Sequence, residues 1–306
     1  MDNPNRTVRI RAPAKVNLGL VVGLPRADGF HDLTTVFVRI DLCDEIALRT
    51  GKSLPADCRL QITDCRLQIA GSDLPTGKDN LCVKAARCFR QATGIKLPVE
   101  IRLKKRIPIG AGLGGGSSDA AAVLKGMNRL FDRPLGSREL HCLALRLGSD
   151  VPFFLKRGAC RATGRGEVLE PLKLPRFHLF LHVPRFAVNT ARAYRELDRL
   201  RARRPRLMAQ LTEQAFCHKI AIARLKAGRF GSLGGLLHNS FEEPVFRLHP
   251  ELRQVKARFL KAGADAALLS GSGSALFALA RPSRVRPVQR ALEQMRISFL
   301  NLRTMA

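Results

Sequence analysis

The stretch Pro108–Asp119 (PIGAGLGGGSSD) holds five glycines among its twelve residues. Glycine tolerates positive φ angles and has no side chain, so a run of this kind lets backbone N–H groups approach a ligand closely. Ser117, Ser118 and Asp119 then lead into the alanine-rich segment 120–124, which predicts a helix over residues 118–131. Because the N-terminus of a helix carries free donors and a partial positive charge, the run predicts a loop that binds phosphate.

The spacing of these glycines excludes two common nucleotide-binding motifs. No Gly-Lys-Ser or Gly-Lys-Thr ends the run, as it would in a Walker A loop. In a dinucleotide-binding fold, the glycines follow the first strand and an acidic residue lies about 20 residues further on. The run does not have this arrangement. It is therefore either a phosphate loop of another kind or a flexible glycine-rich connection.

The composition is that of a globular protein with a sizeable core. The 306 residues are 45% hydrophobic and 25% charged, which suits two modest domains or one large one. No apolar run approaches the ~18 residues that a membrane span requires, and we expect no secretory signal. The eight cysteines form no Cys-x-x-Cys pair, which argues against a zinc site and favours reduced thiols in the cytoplasm.

The charge balance is strongly basic, with 53 lysines and arginines against 25 acidic residues and a net charge of +28. A dense cluster comprises Arg199, Arg201, Arg203, Arg204 and Arg206. This cluster is either a face that binds a polyanion or the solvated end of a helix. The absence of tryptophan and the single tyrosine argue against a nucleic-acid partner, because few side chains are present on which bases stack.

Hydrophobic periodicity predicts a mixed α+β chain in two parts. The sequence Asp-Cys-Arg-Leu-Gln-Ile occurs twice, at 57–62 and 64–69, and we interpret it as a local duplication without a function. Two prolines within 170–175 suggest a boundary, which divides the chain into domains 1–172 and 173–306. The predicted strand regions are 7–49, 99–106, 177–183 and 266–280, and the predicted helices are 79–93, 118–131, 137–148, 190–204, 208–227 and 250–263.

Three further blocks accompany the glycine run: Ala12–Leu20 (APAKVNLGL), Leu147–Phe154 (LGSDVPFF) and Leu268–Phe277 (LLSGSGSALF). In this order the four blocks resemble the GHMP kinase superfamily. The resemblance implies an N-terminal domain like that of ribosomal protein S5 and a C-terminal ferredoxin-like α/β domain. It also implies that the nucleotide and the substrate lie between the two domains.

The block Arg26–Leu33 (RADGFHDL) narrows the resemblance to the kinases that act on 4-diphosphocytidyl-2-C-methyl-D-erythritol, and segments 78–86 and 188–194 also fit that family. The implied reaction is ATP-dependent phosphorylation of the substrate's 2-hydroxyl, in the non-mevalonate isoprenoid pathway. ATP and Mg²⁺ are the implied cofactors, and the implied state is a monomer or a weak homodimer. Two alternatives stay open: a GHMP kinase for another small alcohol, such as homoserine or mevalonate, or a polyanion-binding protein on a kinase scaffold.

The same resemblance assigns site residues. It places the catalytic base at Asp150 and pairs it with Lys15, whose ammonium would keep the carboxylate ionised. Ser118 could reach a magnesium ion, and no other protein ligand for a metal is assigned. The implied ATP-binding residues are Asn80, Lys105, Pro108, Ile109, Gly110, Ala111, Gly112, Leu113, Gly114, Gly115, Gly116, Ser117 and Ser118. The implied substrate-binding residues are Asn17, Phe30, His31, Thr190 and Tyr194, with Phe30 and Tyr194 stacking on cytosine and His31 at the base edge.

Two positions depart from the family pattern. Asp119 puts a negative charge close to the phosphates, and we expect it to cap the helix and to point away from them. The segment Asn239–Glu242 keeps only part of the usual pattern. We expect neither departure to abolish activity.

Overall fold

The structure, a computed structural model, describes residues 6–50, 65–204, 206–231 and 233–305. The strands are β1 (Arg6–Pro25), β2 (His31–Thr50), β3 (Cys65–Ala70), β4 (Val99–Lys104), β5 (Ala159–Thr163), β6 (Val168–Leu172), β7 (His178–His182), β8 (Ala266–Leu269), β9 (Leu276–Ala280) and β10 (Leu300–Arg303). The helices are α1 (Leu81–Thr93), α2 (Gly115–Leu130), α3 (Ser137–Leu147), α4 (Val151–Leu155), α5 (Thr190–Arg203), α6 (Arg206–Lys226), α7 (Glu242–Leu248), α8 (Pro250–Lys261) and α9 (Val285–Gln294).

Two compact units are interleaved along the chain. Unit 1 comprises the segments 1–14, 42–107 and 114–157, and unit 2 comprises 15–41, 108–113 and 158–306. The strands β1 and β2 each contribute residues to both units, and the glycine run is divided between them. The boundary at 172/173 stays a prediction.

Unit 1 contains β3, β4, parts of β1 and β2, and the helices α1 to α4. The second half of β2 pairs antiparallel with β4, and β4 pairs parallel with β3. Along β4 the buried Ile101 and Leu103 alternate with the exposed Arg102 and Lys104, so this strand has one apolar and one polar face. Helix α2 packs so closely on β2 that a Cβ at Gly126 would overlap the Leu48 side chain.

Unit 2 contains a four-stranded antiparallel sheet with the order β10-β7-β9-β8. Strands β8 and β9 are buried along their whole length, and their apolar side chains join those of α5, α7, α8 and α9 in one core. The first part of β2 pairs with β5, which pairs with β6. This mixture of sheets and helices confirms the predicted α+β class.

Most predicted elements are confirmed within a few residues, including α1, β4, α3, α5 and α8. The second copy of the repeated hexapeptide forms most of β3, whereas the first copy lies outside the described residues. The strand region predicted at 266–280 is two strands, β8 and β9, joined by a turn. Sequence periodicity missed the short helices α4 and α7, because five and seven residues are too few to show a helical repeat.

The basic cluster at the end of α5 is not uniformly solvated, contrary to one of its two interpretations. Arg201 is buried and donates to the carbonyl oxygens of Val22 and Gly23 at 2.6 and 2.7 Å. Burial lowers the pKa of Arg201, and nearby Asp198 acts against that decrease. One member of the cluster therefore anchors α5 to the end of β1.

Candidate active site

The first half of the glycine run lies in unit 2, against the turn that joins β8 to β9. Gly110 and Gly112 have φ angles of 67° and 76°, in the left-handed region that favours glycine. The carbonyl oxygen of Gly112 accepts a hydrogen bond from Ser270 Oγ at 3.1 Å, and a Cβ on Gly112 would overlap the Ser270 carbonyl oxygen. The Ala275 N–H donates to the Ala111 carbonyl oxygen at 3.1 Å. This part of the run is thus built into the fold and is not a flexible connection.

The second half of the run begins α2 in unit 1, three residues earlier than predicted. The helix starts at Gly115, and Gly114 occupies the N-cap position with no side-chain cap. An N-terminus without a side-chain cap leaves N–H groups for another acceptor, and the helix dipole favours an anion there. A Cβ on Gly115 would come within 3.0 Å of Ile107 Cγ2, so close packing explains why glycine opens a helix here.

Ser118 lies at the end of the first turn of α2, and its side chain is buried. Its Oγ atom has no hydrogen-bond partner among the described residues. A buried hydroxyl without a partner loses free energy, so this atom is suited to a ligand that the structure does not contain. The geometry is compatible with the predicted role of Ser118 near phosphate and magnesium.

Lys105, for which we predicted a contact with the adenosine, lies between two buried carboxylates of unit 1. Its Nζ donates to Asp44 Oδ2 at 2.5 Å and to Asp119 Oδ2 at 2.8 Å. Asp44 also accepts the backbone N–H groups of Arg106 and Ile107. Burial acts to lower the pKa of Lys105, but the two carboxylates outweigh it and raise that pKa above its ordinary value. The ammonium is therefore charged and engaged, and its adenosine contact stays a prediction.

Asp119 does not cap α2, which corrects the sequence prediction. It is the fifth residue of the helix, and its side chain turns towards Lys105. Burial raises the pKa of Asp119 to about 7; Lys105 acts to lower it, while Asp44 acts to raise it further. Burial, together with nearby Asp44, therefore holds the pKa of Asp119 close to neutral pH.

A line of buried polar side chains begins at Lys15 in unit 2. Lys15 Nζ donates to Asn17 Oδ1 at 2.7 Å, and Asn17 Nδ2 donates to Thr35 Oγ1 at 2.9 Å. The Thr35 hydroxyl in turn donates to the Gly19 carbonyl oxygen at 2.6 Å. The ammonium also lies 5.3 Å from the centre of the Phe37 ring. These contacts fix the Lys15 side chain in direction, which a residue acting on a phosphoryl group requires.

The turn between β8 and β9 approaches the same lysine. A Cβ on Gly271 would lie 3.4 Å from Lys15 Nζ and 3.5 Å from Asn17 Oδ1. Asn239, which is fully buried, donates through Nδ2 to the carbonyl oxygens of Leu269 and Gly271. The asparagine of the partly kept Asn239–Glu242 segment thus fastens this turn.

Asp150 occupies the N-cap position of α4 in unit 1, but its carboxylate makes no cap hydrogen bond to that helix. An aspartate at this position commonly caps the helix, and Asp150 departs from that pattern. Lys15 and Asp150 belong to different units, and their pairing stays a prediction.

The predicted base-binding residues His31 and Tyr194 meet in unit 2. Their ring centres are 4.9 Å apart, and Tyr194 packs edge-on against Phe241. His31 is buried, and its Nε2 lies 2.9 Å from Asp198 Oδ1. The Phe30 ring is half exposed and lies under the Arg165 guanidinium, 4.5 Å from the ring centre.

Two other predicted residues are engaged at helix ends. Thr190 is the first residue of α5, and its hydroxyl lies 2.8 Å from Ser272 Oγ. Asn80 caps α1, because its Oδ1 accepts the Cys82 N–H and its Nδ2 donates to the Pro75 carbonyl oxygen. Their ligand contacts stay predictions.

The sequence reasoning missed Thr35, Asp44 and Asp198, each of which orients a predicted residue. Asp198 follows Tyr194 by four residues in a predicted helix, so the spacing already placed both on one helix face. No pattern indicated Thr35 or Asp44, because their partners lie 16 to 63 residues away in the chain.

Membrane-spanning helices and metal-binding clusters are both absent from the described ranges. No helix there has the length and apolar character that crossing a bilayer demands. The same ranges hold no group of three or more histidine, cysteine or acidic side chains arranged to bind a metal ion. The described cysteines are free thiols, and burial raises the pKa of Cys65 to about 11.

Comparison with protein families places both parts of the chain in one class. Residues 80–158 match the family described as GHMP kinases N terminal domain, and residues 221–297 match GHMP kinases C terminal. The first match contains the start of α2 and Asp150, and the second contains the turn that packs on Gly112. The fold and the loop therefore define a GHMP kinase.

Individual relatives narrow that class. A 4-diphosphocytidyl-2-C-methyl-D-erythritol kinase of Nitratidesulfovibrio vulgaris (strain DP4) is 37% identical over 95% of this chain and 96% of its own. One of Solibacter usitatus (strain Ellin6076) is 43% identical over 90% of this chain and 82% of its own. A crystal structure of 4-(cytidine 5'-diphospho)-2C-methyl-D-erythritol kinase is 36% identical, with a TM-score of 0.75, over 98% of this chain and all of that one. The chain belongs to the 4-diphosphocytidyl-2-C-methyl-D-erythritol kinase family.

Proposed function

We propose that this protein transfers a phosphoryl group from ATP to the 2-hydroxyl of 4-diphosphocytidyl-2-C-methyl-D-erythritol, in the non-mevalonate pathway. The observation that carries the proposal is 36–37% identity with relatives of that name over 95–98% of the chain. Three observations are compatible with it: a glycine-rich run at a helix start without a side-chain cap, the buried Lys15, and Asp150, whose carboxylate makes no cap hydrogen bond to α4.

The phosphates of ATP would bind at the start of α2. The N–H groups of Gly115, Gly116 and Ser117 belong to a helix end without a side-chain cap, where the dipole favours negative charge. Positioning and neutralisation of charge account for most of the catalysis of phosphoryl transfer, since the protein performs little covalent chemistry.

Lys15 and Asp150 would act on the reacting groups. The Asp150 carboxylate would accept the proton of the acceptor hydroxyl as a general base. The Lys15 ammonium, held by Asn17, would offset the charge that moves with the phosphoryl group. Asn17 and Thr190 would hold the polyol end of the acceptor.

Mg²⁺ fits the residues at the start of α2. The buried Ser118 Oγ has no partner among the described residues, and Mg²⁺ in kinases takes few protein ligands besides the phosphate oxygens and waters. Ser118 would hold the ion, which would neutralise charge on the phosphates when bound.

The cytidine end would lie between aromatic side chains. Phe30 and Tyr194 would stack on the pyrimidine, and His31 would meet its edge. Of the two alternatives, another small alcohol conflicts with the names of the relatives at 37–43% identity, and the support for polyanion binding is limited to the basic charge of the chain.

The proposal includes an ATP-binding domain 1–172, a substrate domain 173–306, a cytoplasmic location and a monomer or weak homodimer without a nucleic-acid partner.

Consumption of ATP with and without the cytidylyl acceptor tests the proposed reaction. Turnover that depends on this acceptor, and not on homoserine or mevalonate, is the expected result. ATP consumption with either of the other alcohols alone would reject the proposed substrate.

The variant Asp150→Asn should lower kcat by about 10²–10⁴-fold with little change in either KM, because the amide keeps the shape but cannot accept a proton. Lys15→Ala should also lower kcat, and the double variant should be scarcely slower than Asp150→Asn, since the two residues act as a unit. Steady-state kinetics with both substrates provides the measurement. Asp73→Asn, in the same unit and outside the predicted site, is the control. A folded Asp150→Asn protein with more than about a third of the original kcat would remove Asp150 as the base.

A further inference from the structure

His31 and Asp198 form a directed contact that the proposed binding roles do not require. His31 is the first residue of β2, and only 6% of its side chain is exposed. Its Nε2 lies 2.9 Å from Asp198 Oδ1 on α5, and both residues belong to unit 2. A carboxylate accepts hydrogen bonds when ionised and cannot donate, so the shared proton resides on Nε2.

This contact decides the tautomer of the neutral ring. When Nε2 carries the proton, Nδ1 keeps its lone pair and can only accept a hydrogen bond. Within the ranges that the structure describes, no hydrogen bond engages His31 Nδ1. The ring therefore presents one unused acceptor in a fixed direction.

Packing fixes the plane of the ring as well as its protonated edge. Tyr194 covers His31 with ring centres 4.9 Å apart and an interplanar angle of 34°, and Phe241 packs edge-on against Tyr194. Tyr194 and Asp198 are one turn apart on α5, so a single helix face carries both restraints. Arg201, three residues further on, fastens α5 to the end of β1 through two backbone carbonyl oxygens.

We infer that Asp198 is a positioning residue that presents His31 Nδ1 as an acceptor for the 4-amino group of cytosine, and thereby selects cytosine over uracil. Cytosine carries an amino donor at this position, whereas uracil carries a carbonyl oxygen. An acceptor that faces this oxygen makes no hydrogen bond and leaves two desolvated acceptors in contact. The inference rests on the proposed function, because it takes the cytidylyl end of the substrate to lie at His31.

Binding of cytidine 5'-diphosphate and uridine 5'-diphosphate tests the selection without turnover. Calorimetry with a non-hydrolysable ATP analogue present in excess keeps both probes out of the ATP site. We expect the unaltered protein to prefer cytidine diphosphate by about tenfold or more, and Asp198→Asn to narrow the preference to about threefold. The amide offers Nε2 both a donor and an acceptor, so it no longer selects one tautomer. Asp198→Glu should restore most of the preference, and Glu196→Gln, two residues away on α5, should leave it unchanged.

The ¹⁵N chemical shifts of His31 provide a second readout that a merely structural role would not change. The unaltered protein should show an unprotonated Nδ1 and a protonated Nε2, and Asp198→Asn should show a mixture of tautomers. A protonated Nδ1 in the unaltered protein, an undiminished preference in Asp198→Asn, or no preference at all would each overturn the inference. If the base preference and the tautomer are as expected but ATP is not consumed with the cytidylyl acceptor, the proposed reaction fails and the role of Asp198 stands.

Discussion

At the scale of single residues, Lys15 and Lys105 differ in the side chains that hold them. Lys105 lies between Asp44 and Asp119, so its charge is largely matched within unit 1. The contact of Lys15 with Asn17 joins a cation to a neutral amide. Lys105 therefore contributes chiefly to the stability of the fold beneath the start of α2.

Replacement of Lys105 by methionine should destabilise the protein by roughly 3–5 kcal/mol, because it leaves two buried carboxylates without their cation. Lys104→Met, at the exposed neighbouring position on β4, should change the free energy of unfolding by less than about 0.5 kcal/mol. Urea denaturation at pH 7.5 measures both. Equal stabilities of the two variants would show that the carboxylates do not depend on Lys105.

His238 should make stability depend on pH. Burial lowers the pKa of His238 to about 4 from 6.5, and Lys256 and Arg201 lower it further. The unfolded chain therefore takes up a proton below pH 6.5 that the folded chain does not, so stability falls as the pH decreases from about 6.5 to about 4. His238→Gln should remove on the order of 2–3 kcal/mol of that loss and leave the stability above pH 7 nearly unchanged. Parallel pH dependences for the two proteins, measured by chemical denaturation, would refute this assignment.

At the scale of elements, the glycine run is one segment with two structural functions. Gly110 and Gly112 shape a loop on the β8–β9 turn in unit 2, and Gly115 and Gly116 open α2 in unit 1. The first pair is required by positive φ angles and close approach. At position 115 glycine is required because a Cβ there would lie only 3.0 Å from Ile107 Cγ2.

The variant Gly112→Ala should cost at least about 2 kcal/mol, since its φ of 76° is unfavourable for alanine and the Cβ overlaps the Ser270 carbonyl oxygen. Gly116→Ala should be neutral or stabilise the protein by up to about 1 kcal/mol, because it lies in a helix and its Cβ meets only Leu81 Cδ1, at 3.6 Å. Thermal unfolding distinguishes the two. A Gly112→Ala protein as stable as Gly116→Ala would mean that the loop does not pack on the turn as described.

At the scale of the whole molecule, the net charge of +28 exceeds what two anionic substrates need. Part of the excess lies on the polar face of the unit 1 strands, where Arg9, Arg11, Arg102 and Lys104 line a concavity of about 700 Å³. Other basic residues have a structural role, such as Arg201, which donates a hydrogen bond to the Val22 carbonyl oxygen. Surface charge of this kind determines association with polyanions and not the fold.

We expect weak binding to random duplex DNA that falls steeply with salt, because such contacts release counterions from phosphates. Fluorescence anisotropy between about 50 and 200 mM salt measures the slope of log affinity against log salt. ATP turnover with the cytidylyl acceptor should be the same with and without DNA at the higher salt. Salt-insensitive binding in a protein without turnover would favour the polyanion-binding alternative.

By itself, the sequence determined the α+β class and most helices, because these depend on short-range periodicity and on motifs of adjacent residues. It also predicted that His31 and Tyr194 lie together, and their ring centres are 4.9 Å apart. It could not predict that the glycine run would be divided between two units, that Asp119 would turn to Lys105, or that Asp198 would hold His31. Those features depend on contacts between residues distant in the chain, whose hydrogen bonds and packing free energies outweigh local preferences for caps and helix starts. Tertiary structure therefore decided which partners hold the predicted side chains in place.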